Sequence, residues 1–216
     1  MNPASSSSSG FPMIRTLTVV SLLCGLLIVV TDVNTRARIR SNQEIIMRES
    51  VAQLLPGIQK QIVYSIEPSG DLTISSGLQG EGPRLFAGYD GGGRFLGVVI
   101  EASERGYADV ISAMYAYDPD KRIITGFKVI DMKETPGLGN RIGSDPEFTA
   151  NFKGLDASTD HPITTVKHGT KKNPWEIDAI SGATISSRAV GRMLEGSVHS
   201  TAPVVARNLD RIERGQ

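Results

Sequence analysis

The chain has 216 residues with 23 basic and 23 acidic side chains, so it has neither a basic excess suited to nucleic acid nor an acidic solvating tail. Its single cysteine, Cys24, excludes iron–sulfur clusters, structural zinc sites, internal disulfides and haem attachment through Cys-x-x-Cys-His. Any role in handling electrons therefore requires an organic cofactor.

Residues 1–12 are Ser-rich and are expected as a disordered tail. Thr16 to Thr31 carries no charge and is dominated by Leu and Val. That run is shorter than the ~20 residues of a usual membrane span. Arg15 can snorkel outward and Val33 can extend the far end, so residues 13–33 are read as one transmembrane anchor. No small-x-small cleavage site follows Val30, and Leu23 stands where a lipoprotein cysteine needs a small neighbour, so an uncleaved anchor is favoured. Residues 34–57 place Ile39, Ile45, Ile46, Val51, Leu54 and Leu55 at helical spacing among Arg36, Arg38, Arg40 and Arg48. This predicts an amphipathic linker helix ended by Pro56-Gly57.

Residues 58–216 read as a single α+β domain with a mostly antiparallel sheet and flanking helices. Strands are expected at 61–66, 71–75, 84–89, 94–101, 110–117 and 122–130, with hairpin breaks at Pro68-Ser-Gly70, Asp90-Gly-Gly-Gly93 and Asp118-Pro-Asp120. A Gly-rich loop, Glu134-Thr-Pro-Gly-Leu-Gly139, follows. After it comes a short helix capped by Ser144 or Asp145, with Pro146 in its first turn. A short strand near 163–167, a strand end over 175–180, a helix over about 184–199 and a last helix over 202–215 complete the reading.

Three stretches can carry chemistry. Asp178-Ala-Ile-Ser-Gly-Ala-Thr-Ile-Ser186 is a strand–Gly turn–helix junction, whose helix N-terminus offers N–H groups and a positive dipole end to a phosphate. In Glu134–Gly139, Pro136 fixes its own φ, and Gly137 and Gly139 allow close backbone approach to a planar ligand. Gly106-Tyr107 sets a turn and a ring ahead of a strand. His161, His168 and His199 have no i,i+3 or i,i+4 pairing, so no metal site is expected. Gly-x-Ser-x-Gly is absent, so no hydrolytic serine is assigned and no catalytic residue is named. The basic loop Lys167–Lys172 reads as a solvated surface.

The junction resembles the flavinylation motif Asp-x-x-(Ser/Thr)-Gly-Ala-(Ser/Thr)-x-(Ser/Thr) of FMN-binding domains, departing only in Ser186, where Thr is common. Together with Glu134-Thr-Pro-Gly-Leu-Gly139, 47 residues ahead of Ser181, and with Gly106-Tyr107 and an N-terminal anchor, the chain resembles the Rnf G subunit. It also resembles the related C subunit of sodium-pumping NADH:quinone oxidoreductases, though its compact length fits the former better. The resemblance implies an electron carrier within a membrane complex that couples ferredoxin and NAD redox chemistry to ion transport, its FMN joined to Thr184 by a phosphoester. It further implies Ser181, Gly182, Ala183, Ile185 and Ser186 around the phosphate, and Glu134, Thr135, Gly137, Leu138 and Tyr107 around the flavin ring. Implied partners are the other membrane subunits, a flavin transferase and the membrane itself, with no nucleic acid. The implied location is the bacterial cytoplasmic membrane, with the domain on its outer side. A free-standing FMN sensory module, and a structural subunit whose junction is only a capped helix start, stay open at this point.

Overall fold

The computed structural model describes residues 10–67, 70–75 and 83–215, and the chain divides after Ile45 into two compact units. Part of the expected 1–12 tail and of the Pro68–Gly70 break lies outside the described residues. The first unit is helical from Gly10, within α1 (Gly10–Leu54), whose apolar stretch is long and apolar enough to cross a membrane. Its described side chains are exposed. The hydroxyls of Thr16, Thr18 and Thr31 donate to the carbonyls of Pro12, Ile14 and Leu27, at 2.9, 2.9 and 2.8 Å. Polar atoms satisfied within their own helix are what an apolar surrounding demands.

The second unit is built on a seven-stranded antiparallel sheet. Its strands are β1 (Lys60–Ile66), β2 (Leu72–Ile74), β3 (Arg84–Tyr89), β4 (Phe95–Arg105), β5 (Val110–Asp118), β6 (Ile123–Asp131) and β7 (Leu155–Asp156). They lie in the order β2-β1-β3-β4-β5-β6-β7. Alternating side chains give the sheet two apolar faces. One face, with Leu85, Val98, Ile100, Ala113, Tyr115 and Ile124, packs on α3 (Thr184–Arg207) in the main core. The other, with Phe86, Val99, Met114 and Ala116, is covered by Met47, Val51 and Leu55 from the end of α1 and the turn after it. Burying each such side chain contributes about 1.5–3 kcal/mol. Glycine makes the close approach possible: a Cβ at Gly88 would lie 2.6 Å from a Leu55 methyl, and one at Gly126 would lie 3.0 Å from Leu54.

Beyond the sheet, α2 (Pro146–Ala150) is capped by Asp145, whose carboxylate accepts from the N–H groups of Glu147 and Phe148 at 3.0 and 3.2 Å. Pro146 occupies the first turn, where its missing N–H costs nothing. Phe127, Phe148 and Phe152 pack together beside this helix in tilted and edge-on pairs, with ring centroids 4.5 and 5.3 Å apart. A separate parallel pair, β8 (Thr164–Val166) and β9 (Glu176–Asp178), leads into α3.

The anchor and the amphipathic segment both fall within α1, because no Pro or Gly pair interrupts residues 26–54. Two expectations are revised. The helix at the flavin-type junction does not stop near His199 but continues through Pro203 to Arg207, leaving only α4 (Leu209–Glu213) of the expected last helix. Buried Thr201, Val204 and Val205 explain this, because their packing outweighs the ~3 kcal/mol that an interior proline costs. The strand β7 and a 3₁₀ turn at Gly139–Gly143 have no counterpart among the elements expected from the sequence.

Gly88→Val is expected to wedge Leu55 off the sheet and to cost about 1–3 kcal/mol by overpacking. Urea denaturation of the detergent-solubilised chain measures it, and an unchanged midpoint would mean that the Leu55 seat carries no stability.

Candidate functional site

The three stretches singled out in the sequence meet at one carboxylate. Glu134 is only 7% exposed. Its Oε1 accepts from the backbone N–H groups of Tyr107 and Ala108 at 2.9 and 3.1 Å, and its Oε2 accepts from the Ser186 hydroxyl at 2.7 Å. A buried carboxylate is tolerated only when its oxygens are satisfied. Among the described residues no Lys, Arg or His forms an ion pair with it, so neutral donors alone hold it. Space around it is made by glycine. A Cβ at Gly106 would lie 2.3 Å from Oε1, and one at Gly139 would lie 2.5 Å from Oε2 and 2.7 Å from the Ser186 oxygen.

The first contributor is the β4–β5 turn, closed by the Gly106 N–H donating to the Asp109 carbonyl at 2.9 Å. It leaves the Tyr107 ring 64% exposed. The Val110 N–H and then Lys133 hold the Asp109 carboxyl below its ordinary pKa. The second is the 134–139 loop. Gly137, at φ +77°, donates its N–H to the Asn140 side-chain oxygen at 2.8 Å, and the Leu138 N–H closes on the Thr135 carbonyl at 3.2 Å. Thr135, Gly137 and Leu138 are exposed while Glu134 turns inward, so its carboxylate is spent on the chain itself.

The third is the junction. Gly182 takes φ +82°, and α3 begins at Thr184 with Ala183 as its N-cap, so no side chain caps the helix. The Ser187 hydroxyl fills the space beneath: it accepts from the Ile180 N–H at 3.1 Å and donates to the Ala183 carbonyl at 2.9 Å. Ser186 and Ser187 are thus buried and engaged, Ser181 and Ile185 are exposed, and the Thr184 side chain sits partly open at the helix mouth. A Cβ at Gly182 would lie 3.6 Å from a Leu138 methyl, so the second and third stretches touch.

Asp178, the first residue of the motif, points away from this mouth. Its two oxygens accept from the Gly169 N–H at 2.8 and 2.9 Å, fastening the basic 167–172 turn. Lys171, within that turn, has its pKa pushed down by burial against the pull of Asp178 and Glu176. Two residues outside the sequence motifs, Arg141 and His168, line a small cleft with Asp178 and Ser181. Arg141 pairs with Asp145 at 2.5 Å, and its only sequence signal is a basic residue close after the Gly-rich loop. The three histidines do not come together: His161 stacks on Trp175, His168 lies near Asp178, and His199 lies near the end of α3.

These contacts separate two glycines that look alike in sequence. Gly139→Ala should collide with Glu134 and Ser186 and destabilise the chain by about 1–3 kcal/mol. Gly137→Ala, with open space around it, should cost only the ~1 kcal/mol of a left-handed backbone. Thermal unfolding of both variants checks the order, and equal losses would contradict the packing described.

The FMN-binding domain family matches residues 106–198, from the Tyr107 turn into α3. The G subunit of the ion-translocating oxidoreductase complex of Methanosarcina acetivorans is 32% identical over 189 residues, covering 86% of this chain and 91% of that protein. The G subunit of the proton-translocating ferredoxin:NAD(+) oxidoreductase complex of Clostridium ljungdahlii is 35% identical over 107 residues, covering 50% of this chain and 54% of that one. The crystal structure of Shewanella oneidensis NqrC shares the fold, with a TM-score of 0.63 at 19% identity over 80% of this chain and 98% of its own. The first of these matches spans most of both chains, and it overlies a site assembled from the same segments as the FMN-binding domain. The chain therefore belongs to the family of G subunits of ion-translocating oxidoreductase complexes.

Proposed function

We propose that this chain relays electrons in a membrane-bound, ion-translocating ferredoxin:NAD oxidoreductase complex through an FMN held covalently at Thr184. The observation that carries the reading is the helix mouth. Thr184 offers a partly exposed hydroxyl at an uncapped helix N-terminus, while Ser186 and Ser187, further into the first turn, are buried and already bonded. Unsatisfied N–H groups at such an end favour a phosphate by about 0.3–1 kcal/mol per charge, and more when partly buried.

The surroundings fit the rest of FMN. Tyr107, Leu138 and Ile185, on the three segments that meet at Glu134, are 64%, 50% and 52% exposed, and a planar flavin ring is suited to cover such groups. The exposed Thr135 can meet the polar edge of the ring. When bound, the flavin supplies one- and two-electron redox chemistry that no side chain here can. The chain's part is to hold the ring, keep the phosphate at the dipole end of α3 and prevent loss of the carrier between turnovers.

Attachment requires the Thr184 oxygen to form a P–O bond as the phosphate's bond to its leaving group breaks, with the hydroxyl proton passing to a base. A flavin dinucleotide donor balances this step by releasing AMP, and the net gain is FMN minus water. The catalyst is a separate flavin transferase, since no base contacts Thr184 among the described residues.

The apolar part of α1 anchors the chain in the bilayer, and the domain lies on the outer side of the cytoplasmic membrane, where the transferase acts. Arg36, Arg38 and Arg40 follow the span and only Arg15 precedes it, which by the positive-inside tendency alone favours the opposite side. Partner subunits orient a lone span more strongly than this small bias.

Thr184→Ala should abolish covalent flavin yet leave stability within ~0.5 kcal/mol, because Thr184 caps nothing. In-gel fluorescence and mass spectrometry of the wild type should place one FMN minus water on the peptide holding Thr184. An adduct on Ser181 or Ser186 would refute the assignment. For sidedness, alkaline phosphatase fused behind Gln216 should be active, and an inactive fusion on a stable chain would put the domain in the cytoplasm.

A further inference from the structure

The carboxylate of Glu134 is committed before any ligand arrives. Two of its three hydrogen bonds go to the turn at Tyr107 and Ala108, and the third goes to Ser186 in the first turn of α3. These partners lie 27, 26 and 52 residues away in sequence. The same two segments supply the exposed Tyr107 ring and the Thr184 hydroxyl. Gly106 and Gly139 are moulded so closely around the carboxylate that neither tolerates a Cβ without displacing it.

We infer that Glu134 is a positioning residue, a latch that fixes the Tyr107 turn against the start of α3 and so sets the seat of the flavin ring relative to Thr184. It acts on the seat, because its carboxylate is buried and both oxygens are bonded to the chain. The inference rests on the reading that Thr184 carries FMN. Its geometry also makes a claim about the chain without flavin: the N–H groups of Tyr107 and Ala108 are held through Glu134.

The latch depends on shape more than charge. A glutamine keeps one oxygen for the Tyr107 and Ala108 N–H groups and turns its amide toward the Ser186 oxygen, so Glu134→Gln should retain most of the arrangement. Alanine keeps none of it. Ser186→Ala cuts only the α3 arm and leaves the turn bonded.

The test uses the full chain in detergent, made with and without the flavin transferase. Without it, amide hydrogen exchange at Tyr107 and Ala108 should quicken about tenfold or more in Glu134→Ala and little in Glu134→Gln. Ser186→Ala should leave those two amides near the wild-type rate. With the transferase, attached flavin in Glu134→Ala and Ser186→Ala should lose much of its visible circular dichroism and gain fluorescence depolarisation, while Glu134→Gln keeps both signatures. If Glu134→Ala does not fold, Ser186→Ala carries the flavin readout alone. Unchanged exchange and dichroism in every folded variant would overturn the latch. A Glu134→Gln flavin as disordered as the alanine variant's would replace it with a role for the charge. Absence of FMN from wild-type Thr184 would defeat the functional reading, and the exchange measurement would still decide the latch.

Discussion

A carboxylate taken out of water must recover several kcal/mol of lost hydration, and Glu134 does so with three neutral donors drawn from two distant segments. That requirement organises the site. The Tyr107 turn, the Gly-rich loop and the first turn of α3 must converge to satisfy one side chain, and once converged they bring their outward-facing residues to one mouth. The glycines at 106 and 139 follow from the same constraint, since the packed carboxylate leaves no room for a Cβ at either position.

The phase of α3 then decides which hydroxyl is available. At 3.6 residues per turn, Ser186 and Ser187 fall on the stripe that continues through Val190, Leu194 and Val198 into the core, Ile185 falls on the opposite side, and Thr184 sits half-buried at the edge of the stripe. Four hydroxyl residues crowd positions 181–187, and helical geometry sorts them. Ser187 braces the turn, Ser186 ties it to Glu134, and Thr184 is left at the dipole end with its hydroxyl unspent. A hydroxyl at a rigid helix start is better positioned than one on a free loop.

The sheet carries this site on one face and the end of α1 on the other. Gly88 and Gly126 let Leu54 and Leu55 sink close to the strands, so the segment after the apolar stretch is part of the domain's core. The domain thus depends on residues that stand ahead of its first strand, because without Met47, Val51 and Leu55 one apolar face of the sheet would meet water.

Much of this was legible in the sequence for a local reason. Strand periodicity, the Asp118-Pro-Asp120 turn, the Asp145-Pro146 helix start and the Ser181–Thr184 junction are each written within a few neighbouring residues, and the order of the motifs pointed to the family. What tertiary structure alone decided was long-range or a matter of competing energies. The sequence predicts a helix end near His199, and the burial of Val204 and Val205 carries the helix through Pro203 instead. The strand β7 is too short to show a period and exists only because β6 offers its edge. The family resemblance implies that Glu134 borders the flavin ring, and the fold adds hydrogen-bond partners up to 52 residues away. No local pattern encodes which way that carboxylate turns, because only the folded chain brings its donors within reach.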